Sequence, residues 1–300
     1  MLSIVVPTYR QASRLRLALE CMTRACLAED VAAEVIVVDD AGEPEVEAVV
    51  GELARRRPGV ELRLIAKGHA GRSVARNRGA EAARGARVLF LDGDVLVTPG
   101  TLRAHARLVA AGARGLARGA ILRMPWLAAF DDPATGSLTA EAARAFGGGP
   151  RPLLATRTVE LGGDGYPTAA TVRLARPNQF ERDIQAWLAA SRVGRWIGST
   201  GAHLSIDREA LIAIGGFDER MGLRWGAEDL ELGFRVEAAA LSIAHVPEAV
   251  VVHMDHETRG RDGDHAAALE YFAHKHGRPA VLRLLDYFDG RCALAEVARA

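Results

Sequence analysis

The sequence predicts an α/β fold: a mostly parallel sheet flanked by helices. Three observations carry that expectation. Short apolar runs recur through the first 120 residues, each followed by a stretch with helical spacing. The helical stretches carry start and stop signals at their ends. Three of the apolar runs end in polar or acidic residues, and in open α/β sheets ligands bind beyond the carboxyl ends of the strands.

Taken in order, LSIVVP (2–7) is the first strand, and residues 12–28 place Leu15, Leu19, Met22 and Cys26 at helical spacing. EVIVVDD (34–40) is the second strand. PEVEAVVGELARR (44–56) opens with proline, carries acids in its first turns and closes on arginines, as a helix should. VELRLIA (60–66) is a strand, RSVARNRGAEAARG (72–85) a helix stopped by glycine, ARVLFLD (86–92) a strand and PGTLRAHARLVAAG (99–112) a helix. This alternation places helices on both faces of the sheet. Residues 113–195 are less regular. ARAFGGGPRPLL (143–154) reads as a loop or junction, YPTAATVRLARPNQF (166–180) is mixed, and FERDIQAWLAASR (180–192) is helical. Regular patterns return at 198–220, 225–240 and 242–254, and 263–300 reads as two helices broken at Gly277-Arg278-Pro279. The expected organisation is one domain over 1–260, in halves 1–120 and 121–260, with a C-terminal helical extension at 261–300.

The composition is that of an ordinary globular protein, 49% apolar and 25% charged. The 38 basic residues are balanced by 38 acidic ones, which argues against a nucleic-acid partner, since phosphate neutralisation needs a basic face. The three cysteines have no metal-binding spacing and read as reduced thiols of a cytoplasmic protein. A strand begins at residue 2, so a signal peptide is not expected, and no run reaches the ~18 apolar residues of a membrane span. Peripheral membrane contact and oligomeric state stay open.

Motif absences narrow the chemistry. No GxGxxG follows the first strand, and neither GxxxxGK[ST] nor GxSxG occurs. What remains is an acidic turn, LDGD, at a strand end. Two carboxylates there suit a divalent cation completed by diphosphate oxygens and water.

VVPTYR, VVDDAG, GRSVARNRG and FLDGDV, in this order and spacing, resemble family 2 glycosyltransferases with the GT-A fold. GSTGAHLSIDREALIAIGGFDE and RWGAEDLELGFRV look like the acceptor-side C-terminal half of the same family. WGAEDLEL followed by VVHMDH also resembles galactosyltransferases with a WGxED motif and a downstream metal-binding histidine. The resemblance covers roughly 2–125 and 196–256. It implies that 1–120 binds a nucleotide-sugar and 121–260 the acceptor.

Residue by residue, the resemblance makes Asp94 a metal ligand, with Asp92 on the ribose or on the metal through water. Pro7, Thr8 and Tyr9 would wrap the base, although Tyr9 also suits a half-buried strand end. Asp39 resembles the aspartate that contacts the base, while its neighbour Asp40 suits a helix cap. Arg76 and Asn77 would recognise phosphate or carbonyl groups, with Arg72 an alternative to Arg76, and an ion pair on the helix surface the plainer role. Asp229 resembles the catalytic base that takes the acceptor proton, with Glu228 orienting hydroxyls; both would also suit the helix dipole. Trp225 and Gly226 precede them, and a tryptophan there can stack on a sugar face. Gly201 and His203 would line the acceptor pocket. His253 would be a further metal ligand, with His256 an alternative, while His245, His274 and His276 read as structural or solvated.

The expected activity is therefore metal-dependent, inverting transfer of a sugar from a nucleotide-sugar, a UDP-sugar first, to a hydroxyl of a glycan or small molecule, with Mn²⁺ or Mg²⁺ as cofactor. A nucleotidyltransferase would want a glycine-rich basic loop after the first strand, which VPTYRQASR lacks. A non-catalytic sugar-nucleotide scaffold need not keep both acid pairs.

Overall fold

The computed structural model describes residues 1–66, 68–145, 159–256 and 261–299, with the side chains of residues 261 and 262 left aside. Residues 146–154 of the Gly/Pro-rich stretch lie outside this set; 143–145 finish a short helix, Ala140–Ala145.

The main sheet has eight strands: β1 (Leu2–Thr8), β2 (Ala33–Asp39), β3 (Glu61–Ala66), β4 (Arg87–Leu91), β5 (Val95–Val97), β6 (Leu116–Arg123), β9 (His203–Asp207) and β10 (Ile243–His253). The intervening β7 (Phe130–Asp132) and β8 (Ser137–Leu138) form a separate two-stranded ribbon. The order in the large sheet is β3-β2-β1-β4-β9-β6-β10-β5. β3, β2, β1 and β4 run parallel, as the alternation predicts. β9 is antiparallel to both β4 and β6, and β5 is antiparallel to β10. The two halves thus share one sheet.

Four helices follow the early strands at the expected places: α1 (Ala12–Ala28), α2 (Pro44–Arg56), α3 (Arg72–Ala82) and α4 (Thr101–Ala110). The strands are apolar on both faces because both are covered. Ile4, Val6, Val35, Val37 and Leu89 pack under α1 and α2. Their alternating neighbours Val5, Ile36, Val38, Val88 and Phe90 pack on the other face with α3 and with later helices. Those are α5 (Gln179–Ala190), α6 (Glu228–Ala238), α7 (Arg261–His276), α8 (Arg283–Phe288) and α9 (Leu294–Arg299). The tail breaks at Gly277, where φ is +61°, as expected. It then breaks again between α8 and α9, giving one helix more than the pattern suggested. Among the described residues no helix is long and apolar enough to cross a membrane.

One pairing matters most for the site. β5 lies against β10 with Val95 opposite His253, and the Met254 N–H donates to the Asp94 carbonyl at 2.9 Å. That register carries the end of β10 back to the acidic turn, which itself follows β4.

Candidate active site

A cleft of about 790 Å³ opens at the carboxyl ends of β1, β2 and β4. Pro7, Thr8 and Tyr9 form one wall, the Asp92–Asp94 turn the floor, and Trp225–Leu230 another wall.

Asp94 is buried in the floor. His253 Nε2 lies 3.4 Å from Asp94 Oδ1, and His256 Nε2 lies 3.5 Å from Oδ2. Asp92, Asp94 and His253 each present a donor atom within 4.8 Å of the others. The other nitrogen of His253, Nδ1, is 2.7 Å from Asp255 Oδ1, and Arg123 Nη2 holds that carboxylate at 2.8 Å. A carboxylate on Nδ1 fixes the ring and leaves Nε2 as the donor toward the floor. Two carboxylates and one imidazole so arranged fit a divalent cation. Burial alone would lower the His253 pKa, but Asp94 and Asp255 outweigh it and raise it.

The second acidic pair begins α6. Gly226 and Ala227 both have positive φ, +90° and +64°, which turns the chain so that Glu228 starts the helix at the cleft. A positive φ is strained for alanine, and such strain is kept where surrounding contacts fix it. Asp229 Oδ2 accepts the Gly201 N–H at 2.6 Å, and Oδ1 accepts the Leu230 N–H at 2.8 Å. Burial first, and the neighbouring Glu228 charge second, push its pKa up to about 6. Glu228 behaves oppositely. Burial would raise it, but Arg76 and then Arg72 hold it below the usual carboxylate range.

Arg76 joins the two acidic pairs. Its guanidinium is 2% exposed, with Nη1 2.7 Å from Glu228 Oε1 and Nη2 3.1 Å from Asp92 Oδ1. Asp92 is also held low, since Arg76 and Arg72 outweigh its burial. Arg76 is therefore no surface pair; it is a buried bridge. Gly201 passes so close that an added Cβ would stand 2.6 Å from Arg76 Nη2. Arg72 lines the cleft as well and lies over the Trp225 ring at 5.6 Å.

Of the residues singled out from sequence, Pro7, Thr8, Tyr9, Arg76, Asp92, Asp94, Gly201, Trp225, Gly226, Glu228, Asp229 and His253 line this one cleft. Three do not. Asn77 faces away: it receives the Phe217 N–H at 2.8 Å and donates to the Phe217 carbonyl and Glu219 at 2.9 Å, clamping the loop after Gly215-Gly216. His203 is wholly buried, with Nε2 3.0 Å from His105 Nε2 and Nδ1 3.3 Å from the Ala120 carbonyl. Burial pushes its pKa down to about 4, so it is a neutral core residue. Asp39 is turned inward, where its carboxylate accepts the Ala41 and Glu43 N–H groups and holds the turn ahead of α2. Asp40 is the acid on the cleft wall, and it ties down the Ala70 and Gly71 N–H groups ahead of α3. Tyr9 stacks on His69 at 4.3 Å, so one of its faces is covered.

Asp255 and Arg123 went unpredicted. The signal was present in HMDHE, where a carboxylate stands two residues beyond His253; Glu257 of that segment lies outside the described residues. The tail also contributes: His265, Tyr287, Phe288 and Cys292 reach the cleft.

Residues 3–131 match the family model described as glycosyl transferase family 2, and residues 190–257 match the model described as the N-terminal domain of galactosyltransferase. Among curated proteins, the chain is 30% identical over 266 residues to the validoxylamine A glucosyltransferase of Streptomyces hygroscopicus subsp. jinggangensis, covering 86% of this chain and 56% of that protein. It is 35% identical over 98 residues to the uncharacterised glycosyltransferase YibD of Escherichia coli K12, covering 33% of this chain and 27% of that one. The chain thus spans about half the length of the first relative, and the match about a quarter of the second. The fold is similar to that of the mannosyltransferase PcManGT of Pyrobaculum calidifontis, solved with GDP-Man and Mn²⁺, with a TM-score of 0.58 at 20% identity over 92% of this chain and 64% of that one. It is similar to Staphylococcus aureus TarS 1-349, solved with UDP-GlcNAc, with a TM-score of 0.58 at 15% identity over 94% and 70%. The sheet is that of a GT-A fold.

Proposed function

We propose, from the match of residues 3–131 to the glycosyl transferase family 2 model, that the chain is a metal-dependent glycosyltransferase that moves a sugar from a nucleotide-sugar to a hydroxyl acceptor with inversion. One observation carries the proposal. A carboxylate with its pKa raised to about 6, Asp229, stands in the same cleft as a trio that could hold a cation, and Arg76 ties Asp92 of that trio to Glu228, the neighbour of Asp229.

Asp92, Asp94 and His253 would hold a divalent cation, Mn²⁺ or Mg²⁺. When bound it supplies positive charge against the departing diphosphate. Asp94 and His253 set the place of that charge, and Asp255 fixes the His253 ring. Pro7, Thr8, Tyr9 and Asp40 would surround the base and ribose, with UDP the first candidate. Arg76 keeps Asp92 and Glu228 ionised and separate. Two backbone N–H groups fix the Asp229 carboxylate. There it takes the proton of the acceptor hydroxyl as that oxygen bonds to the anomeric carbon and the bond to the diphosphate breaks. A base with a pKa near 6 is ionised at neutral pH yet basic enough to accept a proton.

Thermal melting with UDP, GDP, dTDP and CDP, each with and without Mn²⁺, tests the donor site. A nucleotide at about 100 times its Kd adds roughly 2.7 kcal/mol of stability. Stabilisation by one nucleotide that needs the metal and is lost in Asp94→Ala is the expected result. Stabilisation by none overturns the proposal.

A further inference from the structure

Arg118 of β6 is wholly buried and lies behind the cleft wall. It stands where β6 parts from β9, since their pairing ends at Arg118 opposite Leu204. Just beyond, the Ile121 N–H donates to a side chain, Glu181 Oε1, at 2.9 Å, and Gln185 Nε2 donates to the same oxygen at 2.7 Å. The Arg118 guanidinium grips both Glu181 oxygens, with Nη1 2.9 Å from Oε1 and Nη2 on Oε2. Burial would raise the Glu181 pKa, but Arg118 outweighs it and holds it below the usual carboxylate range. Glu181 reaches the cleft, yet with both oxygens taken it serves as an anchor and not as a second base.

The other edge of the same guanidinium points at Thr200. Nε and Nη2 lie 3.3 and 3.2 Å from Thr200 Oγ1. Thr200 belongs to no helix or strand; it falls between a 3₁₀ turn, Arg195–Gly198, and β9. Its N–H donates to the Gly198 carbonyl at 2.9 Å, its carbonyl accepts the His203 N–H at 3.3 Å, and Arg118 holds its side chain. The next residue, Gly201, has no side chain to fix it, and its N–H is the one that meets Asp229 Oδ2 at 2.6 Å. Resting on the reading of Asp229 as the base, we infer that Arg118 is a positioning residue: through Thr200 it aims the Gly201 N–H at the Asp229 carboxylate. Glu181, which lies outside the matched family segments 3–131 and 190–257, holds Arg118 in turn. A hydrogen bond to the ionised carboxylate favours it, so losing that aim lets the Asp229 pKa climb further above about 6.

The test reads the Gly201 amide by NMR. Thr-Gly occurs at 135–136 and 200–201, so ¹³C at the threonine carbonyls and ¹⁵N in glycine leave two amide signals. Gly136, whose N–H bonds the Asp132 carbonyl, is the reference. In the parent, the Gly201 signal should titrate near pH 6 with Asp229. Arg118→Lys keeps a charge for Glu181 but lacks the second edge for Thr200. There the inflection should rise by about half a unit to one unit, the usual worth of one hydrogen bond. Thr200→Val should do the same and Thr200→Ser should match the parent, with the carbonyl label moved to the substituted residue. Joining Arg118→Lys to Thr200→Val should add nothing further, because both remove one contact. Melting curves check that each variant folds. No inflection in the parent between pH 5 and pH 7, an unchanged inflection in Arg118→Lys or Thr200→Val, or shifts that add in the double variant overturns the inference. These signals need no substrate, so failure of the glycosyltransfer proposal reads differently: Gly201 titrates as described, while no nucleotide stabilises the protein.

Discussion

Asp229→Asn should slow turnover steeply and make the protein more stable at neutral pH. The Asp229 carboxyl has a pKa of about 6 in the fold against an ordinary value of 3.8. A carboxyl whose pKa is raised by folding costs stability wherever it is ionised, so the cost is full above about pH 6 and disappears toward pH 4. At 1.36 kcal/mol for each pKa unit, the cost at neutral pH is about 3 kcal/mol. Asparagine removes the charge but can accept only one of the Gly201 and Leu230 N–H groups, which gives back about 1–1.5 kcal/mol. A net gain on the order of 2 kcal/mol remains, a rise of a few degrees in a domain of this size. Melting curves of parent and variant at pH 7.5 and pH 4.5 read it directly. The gain should appear at the higher pH and shrink at the lower one. Nucleotide release on transfer should fall about 100- to 10,000-fold, the usual worth of a general base. A variant that is less stable at pH 7.5, or whose melting difference ignores pH, would refute the account of Asp229 as a charge raised by burial and by Glu228.

Other outcomes follow from the same geometry. In the parent, kcat/KM should fall as pH drops through about 6, because Asp229 protonates there, and Glu228→Gln should move that limb to lower pH by removing a neighbouring charge. Arg76→Ala leaves Asp92 and Glu228 without their shared cation, and urea unfolding should show a loss of about 3–5 kcal/mol. Asp255→Asn should weaken Mn²⁺ binding about 10- to 100-fold, measured by the free Mn²⁺ signal in electron paramagnetic resonance, with the melting temperature as control for folding. Gly201→Ala should displace Arg76 and lower kcat, since its Cβ would stand 2.6 Å from Nη2.

The first four strands and helices were legible because each carries its own period and its own end signals. The position of β9 was not. A strand from residue 203 enters the sheet between residues 87–91 and 116–123, and pairing at that distance leaves no local mark. The acidic pairs were legible as chemistry, yet their connection through Arg76 was not, because a helix surface and a cleft wall look alike in sequence. Asn77 and His203 show the converse error. A polar residue within a motif announces constraint but not direction, and these two point into a loop clamp and the core. Asp39 and Asp40 divide for the same reason: adjacent residues at a strand end face opposite ways, and Asp40 is the one on the cleft wall.

The late arrival of β9 also bears on how the chain assembles and how it can be cut. Until residue 207 has been made, β4 presents an unpaired edge, RVLFL, apolar on both faces and poised to add any stray strand. A fragment of the first 120 residues would keep the Pro7–Tyr9 wall and the Asp92–Asp94 floor but carry that open edge. It should aggregate instead of behaving as a small donor-binding module, and co-expression with the remainder should rescue it.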